Sequence, residues 1–120
     1  MNKLLKSFGY AIKGILYAAK TQVNFQIHLV AALSVVVLSF YFEISVNEWL
    51  WIISSIGLVL IIELLNTAIE VLVDLISPQF NKKAGIVKDV AAGAVLTSAI
   101  LAIAIGLFIF IPKILPTLNK

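Results

Sequence analysis

The chain has 120 residues, enough for one domain, and 62% of them are hydrophobic, with a mean hydropathy of +1.10. Soluble domains hold roughly half apolar residues, so this composition belongs to a membrane protein. The net charge is +3, every basic residue is lysine and there is no cysteine, which excludes disulfides, thiolate metal sites and bidentate guanidinium reading of bases, so no nucleic-acid partner is expected.

Residues 2–20 read as an amphipathic helix. Lys3, Lys6, Lys13, Lys20, Tyr10 and Tyr17 share one face, and Leu4, Leu5, Phe8, Ile12, Ile15, Leu16 and Ala19 share the other. Such a helix lies in the membrane interface with its lysines toward anionic headgroups, as an anchor more than as part of a site. Lysines interrupt its apolar run and no small-residue cleavage site follows, so it does not read as a signal peptide.

Thr21 to Asn24 form a polar break, and residues 25–42 are then nearly continuous apolar sequence, just long enough to span. His28 near the start of this span reads as interfacial or hydrogen-bonded packing rather than a metal ligand, because no second histidine exists to share a metal. Glu43 to Glu48 form a short acidic turn. Trp49 and Trp51 open the second span as interface anchors. That span, 49–76, would be about 42 Å long against a hydrocarbon core of about 30 Å, so its last two turns should emerge from the bilayer. Ser77-Pro78 ends it, and Gln79 to Gly85 form a polar loop.

The third span is expected over 87–111, stopped by Pro112. Ala94, Ser98, Ala102 and Gly106 recur every four residues along it, a stripe that permits close helix contact and suggests a bundle completed by oligomerisation. The expected fold is an all-α integral membrane domain over 1–120, with three transmembrane helices per protomer and the amino-terminal surface helix. Lys3, Lys6, Lys13, Lys20, Lys82, Lys83 and Lys88 collect on one side of these spans and the 43–48 turn has none, so the amino terminus and the 77–87 loop should be cytoplasmic. Lys113 and Lys120 run against that count.

Four of the six carboxylates lie between Glu63 and Asp89, and three of those between Glu63 and Asp74. At about 100° per residue, Glu63, Asn66, Thr67, Glu70 and Asp74 fall within an arc of about 100°, while Leu64, Leu65, Ile69, Val71 and Leu72 lie elsewhere on the helix. Carboxylates in lipid are costly, so this strip must face a wet or protein-lined interior. Lys88-Asp89 follows across the loop, where a lysine near a helix start meets phosphate as a point charge. Carboxylates and an amide carbonyl are hard oxygen ligands suited to Mg²⁺, commonly completed by substrate phosphates. Together these groups supply what phosphoryl transfer needs: metal, phosphate clamp and base. The same residues also read as polar glue between helices, with Lys88 paired to a carboxylate. Neither a Walker loop nor G-x-G-x-x-G occurs.

Glu63-x-x-Asn66-Thr67-Ala68-Ile69-Glu70-x-x-x-Asp74, followed by Lys88-Asp89-x-Ala91-Ala92-Gly93-Ala94-Val95, resembles the signature of the prokaryotic diacylglycerol kinase family, which includes the undecaprenol kinases. Gly9-Tyr10-Ala11-x-Lys13-Gly14 and Asn24-Phe25-x-x-His28 resemble its first segments, so the likeness covers nearly the whole chain. The resemblance implies a homotrimer that phosphorylates a lipid hydroxyl with Mg·ATP at the cytoplasmic membrane face, in sites shared between protomers. It implies Glu63 as base on the lipid hydroxyl and Glu70 as metal ligand. Asn66, Lys88 and Asp89 would position phosphates and the catalytic carboxylate, with Tyr10, Asp74 and Gly85 at the nucleotide. Many members carry a metal-binding glutamate two residues before the position of Asn24; here Gln22 offers a neutral oxygen instead, which weakens a second metal site.

The rival reading is a small oligomeric channel or proton pathway lined by Glu63, Glu70 and Asp74. Against it, residues 49–62 offer no polar path through the other half of the span. A structural subunit of a larger complex is a third reading. Diacylglycerol and undecaprenol both offer a primary hydroxyl on an apolar anchor, and the sequence does not separate them.

Overall fold

The computed structural model describes residues 2–120, which form four α-helices. They are α1 (Asn2–Thr21), α2 (Val23–Tyr41), α3 (Val46–Ile76) and α4 (Lys82–Leu118). The last three are long and apolar enough to cross a membrane, which makes the chain a multi-pass membrane protein. The α3–α4 hairpin carries most of the tertiary packing; α2 lies against α3, and α1 touches α2 and α3.

The break between α1 and α2 is shorter than the expected polar stretch and consists of Gln22 alone, in an extended conformation. Gln26 Nε2 donates to the Ala19 carbonyl at 2.8 Å and ties the start of α2 back to the end of α1.

The α2–α3 turn is closed by backbone geometry. Glu43 N–H donates to the Phe40 carbonyl and Ile44 N–H to the Ser39 carbonyl, while Glu43 adopts a φ of 49°. That is a Schellman stop, with glutamate where glycine is usual. The residue after it, Ile44, is buried with Ile52, Ile109 and Phe110, and Phe42, Trp49 and Ile56 pack around them. A capping box then starts α3: Glu48 N–H donates to Ser45 Oγ, and Ser45 N–H donates to Glu48 Oε1. This start precedes Trp49 because the two polar residues of the turn satisfy the first orphan donors of the helix.

Two boundaries of α4 differ from expectation. It begins at Lys82, inside the expected 79–85 loop, because Asn81 Oδ1 accepts from the N–H groups of Lys83 and Ala84. At the other end it runs through Pro112 and Pro116 to Leu118. Each proline removes one backbone donor, and both fall in the last two turns of a 37-residue helix whose upstream bonds hold the path. Lys113, the dissenting lysine, pairs at 3.2 Å with Glu48.

Candidate active site

The polar strip of α3 is present, and it grades from sealed to open. Glu63 is 1% exposed, Asn66 and Thr67 are buried, Glu70 is half-buried and Asp74 is exposed. Eleven residues of helix separate its ends, a rise of about 16 Å. The strip therefore runs from a dry interior to the mouth of the α3–α4 turn.

Within it two donors are engaged locally. Thr67 Oγ1 donates to the Glu63 carbonyl at 3.0 Å, a local back-bond that takes the hydroxyl out of the site. Asn66 Nδ2 donates to Glu70 Oε1 at 3.3 Å, one turn along. Two acceptors are left over: Glu63 Oε1 and Asn66 Oδ1 are buried with no hydrogen-bond donor. Buried oxygens without partners are rare in folded proteins and point to a ligand or an active group.

His28, on α2, faces this gap. Its Nε2 stands 3.3 Å from Glu63 Oε1, close enough for contact but not aligned as a hydrogen bond. Sequence reasoning assigned His28 to packing. The available signal was pairing in the membrane: an ionisable residue in one apolar span seeks a partner in another, and Glu63 is the carboxylate embedded in the next.

At the open end Lys88 Nζ donates to Asp74 Oδ1 across the turn. Asp74, Gly85 and Lys88 line one cleft of about 250 Å³, with Ser77, Gln79 and Asn81. A Cβ built on Gly85 would meet nothing within 4 Å, so the space beside it is open. This cleft contains three of the expected nucleotide residues.

Three expected site residues are not bonded to the strip. Tyr10 is exposed on α1, with Lys13 Nζ 5.8 Å from its ring centre. Gln22 donates from Nε2 to Thr21 Oγ1. Asp89 is exposed on α4. Among the described residues, no hydrogen bond or ion pair joins any of them to the α3 strip.

Two apolar grooves flank the strip. One, of about 430 Å³, lies between α2, α3 and α4 and is lined by His28, Ala32, Val59, Ala102 and Gly106 among others. The small-residue stripe of α4 is thus divided: Ser98 is buried, Ala102 and Gly106 face this groove, and Ala94 is exposed. The other groove, of about 820 Å³, lies between α1 and α3 and is lined by Gly14, Ala18, Thr67 and Val71.

Among the described residues, no three His, Asp or Glu side chains gather to hold a metal by themselves. The donor set still suits a hard divalent cation. The Glu70 carboxylate is half-buried and the unpartnered Asn66 Oδ1 lies on the preceding turn, and such ions need only one or two carboxylates when phosphates complete the shell.

The family model for prokaryotic diacylglycerol kinase matches residues 9–110, a stretch that holds every residue of the strip and the cleft. The chain belongs to the prokaryotic diacylglycerol kinase family. Its curated relatives include an undecaprenol kinase of Bacillus subtilis, 46% identical over 95% of this chain and 93% of that protein. A diacylglycerol kinase of Synechocystis is 40% identical over 93% of this chain and 65% of that protein. The Escherichia coli diacylglycerol kinase is 35% identical over 84% and 83%. As a member of this family the chain is an enzyme, a lipid kinase, and its strip of oxygen ligands is the candidate centre for that chemistry.

Proposed function

We propose that the chain transfers the γ-phosphoryl group of Mg·ATP to the hydroxyl of undecaprenol, at the cytoplasmic membrane face. The observation that carries this reading is the buried carboxylate of Glu63, 3.3 Å from His28 on the wall of an apolar groove and continuous along α3 with polar residues that lead out to an open cleft. A lipid alcohol must reach the reaction from apolar surroundings, and a nucleotide must reach it from water. The gradient along α3 suits both approaches. The choice of undecaprenol over diacylglycerol follows the relative at 46% identity, which bears that name.

In this reading Glu63 accepts the proton of the acceptor hydroxyl, the work of a general base. Glu70, with Asn66 Oδ1 beside it, would hold Mg²⁺, which neutralises charge on the phosphates when bound. Asn66 also fixes the Glu70 carboxylate through its amide. Lys88 exchanges Asp74 for a phosphate oxygen; the pair is solvent-exposed, so little stability opposes the exchange. Asp74 and Gly85 border the nucleotide, and the open space beside Gly85 leaves room for it.

Tyr10, Gln22 and Asp89 complete the site from another copy in a homotrimer. Support comes from their making no bond to the strip among the described residues, and from the large apolar side chains exposed along α2 and α4. Gln22 then supplies a neutral oxygen to the metal site. The amino-terminal helix lies on the cytoplasmic interface, consistent with Ala18 being its one buried residue.

The channel reading finds no support past Glu63. Toward the other end of α3 the buried residues are Ile52, Ser55 and Val59, and the Ser55 hydroxyl donates to the Ile52 carbonyl at 3.0 Å. Purified protein supplied with Mg·ATP should release ADP and form a phosphorylated lipid with undecaprenol faster than with diacylglycerol. Preference for diacylglycerol would reject the substrate, and ADP release unchanged by either alcohol would reject the site.

A further inference from the structure

Glu63 lies in a dry part of the molecule, and a carboxylate that takes a proton there needs a fixed orientation. Its neighbours on α3 do not provide one. Asn66 Nδ2 is engaged with Glu70 Oε1, and Thr67 Oγ1 with the backbone carbonyl of Glu63 itself. Among the described residues, the side-chain donor left within reach of the carboxylate is His28 Nε2, 3.3 Å from Oε1.

His28 also sits where the substrate would pass. Its side chain is half-buried, and it lines the apolar groove between α2, α3 and α4. It therefore stands between that groove and the carboxylate. The contact is short but misaligned, and catalytic hydrogen bonds are often long or poorly directed until substrate is in place.

We propose that His28 is a positioning residue for Glu63, holding Oε1 so that the other carboxylate oxygen faces the acceptor hydroxyl. The inference rests on Glu63 being the base. In the step, the hydroxyl oxygen bonds to the γ-phosphorus as the bond from phosphorus to the bridging oxygen breaks. ADP leaves with that electron pair. The hydroxyl proton passes to the free oxygen of Glu63, while His28 keeps its own proton and the geometry. His28 touches neither nucleotide nor phosphate, so its loss should act on turnover and not on ATP binding.

The experiment compares wild type, H28A, H28Q, E63Q and the H28A/E63Q double variant in detergent, with Mg·ATP and undecaprenol, following ADP release and phosphorylated lipid. H28A should lower kcat about 10²-fold, the usual cost of a misplaced catalytic group, with KM for Mg·ATP unchanged. H28Q, which carries an amide N–H at nearly the reach of Nε2, should recover most of that loss. The double variant should be no slower than E63Q alone, because both act through one carboxylate. Should H28A not fold, H28N replaces it, since its amide is one bond too short to reach Glu63.

Near-wild-type turnover in H28A, or a raised KM for Mg·ATP at unchanged kcat, would overturn the role of His28. H28Q no faster than H28A, or a double variant slower than E63Q by the full H28A factor, would do the same. Those four outcomes leave Glu63 as base. Wild-type turnover in E63Q would instead overturn the base reading, and this inference with it.

Discussion

The two ends of α3 treat their polar groups in opposite ways. At its start, Ser45 and Glu48 satisfy each other and the backbone, Lys113 pairs with Glu48, and an apolar cluster of Ile44, Ile52, Ile109 and Phe110 closes over the turn. From Glu63 to Glu70, two buried oxygens, Glu63 Oε1 and Asn66 Oδ1, are left without a donor. Each unsatisfied buried acceptor costs free energy of about 1–3 kcal/mol, so the first end must supply stability that the second gives up. One continuous helix thus carries a structural half and, on the proposed function, a reactive half. The difference lies in hydrogen-bond completeness, since both halves are comparably apolar elsewhere around the cylinder.

If that division holds, substitutions at the reactive end should remove activity and leave the fold. The largest effect is expected for Glu70→Ala, which removes the carboxylate proposed to hold the metal: no turnover above background at saturating Mg²⁺, with the protein still folded. Glu70 is half-buried and its side-chain bond among the described residues is the 3.3 Å contact from Asn66, so unfolding is not expected. Clear residual turnover would move the metal elsewhere. Next comes Glu63→Gln, which should lower kcat by roughly 10² to 10⁴ and leave ATP binding nearly intact. A collapse of ATP affinity at preserved kcat would make Glu63 a nucleotide or metal ligand.

At the structural end the effect should invert. Ile52 is 2% exposed at the centre of the apolar cluster. Ile52→Ala should cost about 2–5 kcal/mol through the cavity it leaves, read as a lowered Tm, with kcat unchanged below the transition. A fall in kcat at full stability would show that the two halves are coupled and that the division is wrong.

What could be read from the residues follows the same division. The three spans and the inward-facing strip were legible because hydrophobic length and a 100° repeat are properties of the helix itself. The loop–helix boundaries were less so. Asn81 is an ordinary cap by type, but it lies within a polar loop with several candidate caps. Pro112 is a helix breaker whose effect was overridden by the long segment preceding it. The stop at Glu43 carries no glycine to announce it. His28 stayed hidden for another reason. Its meaning depends on which residue of another helix it meets, and no periodicity within one helix contains that.

The smallest expected effect tests the turn that closes the structural end. Glu43 holds a φ of 49°, a left-handed conformation in which the Cβ of an L-residue crowds the following carbonyl. The Schellman bonds and the burial of Ile44 beyond it hold the residue there. Glycine adopts this conformation without that crowding, so Glu43→Gly should stabilise the folded protein by up to about 1 kcal/mol, less than the full strain because glycine also frees the unfolded chain. Glu43 is exposed and donates to or accepts from no side chain among the described residues, so little is lost with its carboxylate. The measurement is the Tm of the detergent-purified protein, with kcat and KM as controls. A raised Tm with unaltered kinetics would place this turn wholly within the structural half. A lowered Tm would mean that the Glu43 carboxylate has partners outside this chain, and an altered kcat would show strain at the turn reaching Glu63 along α3.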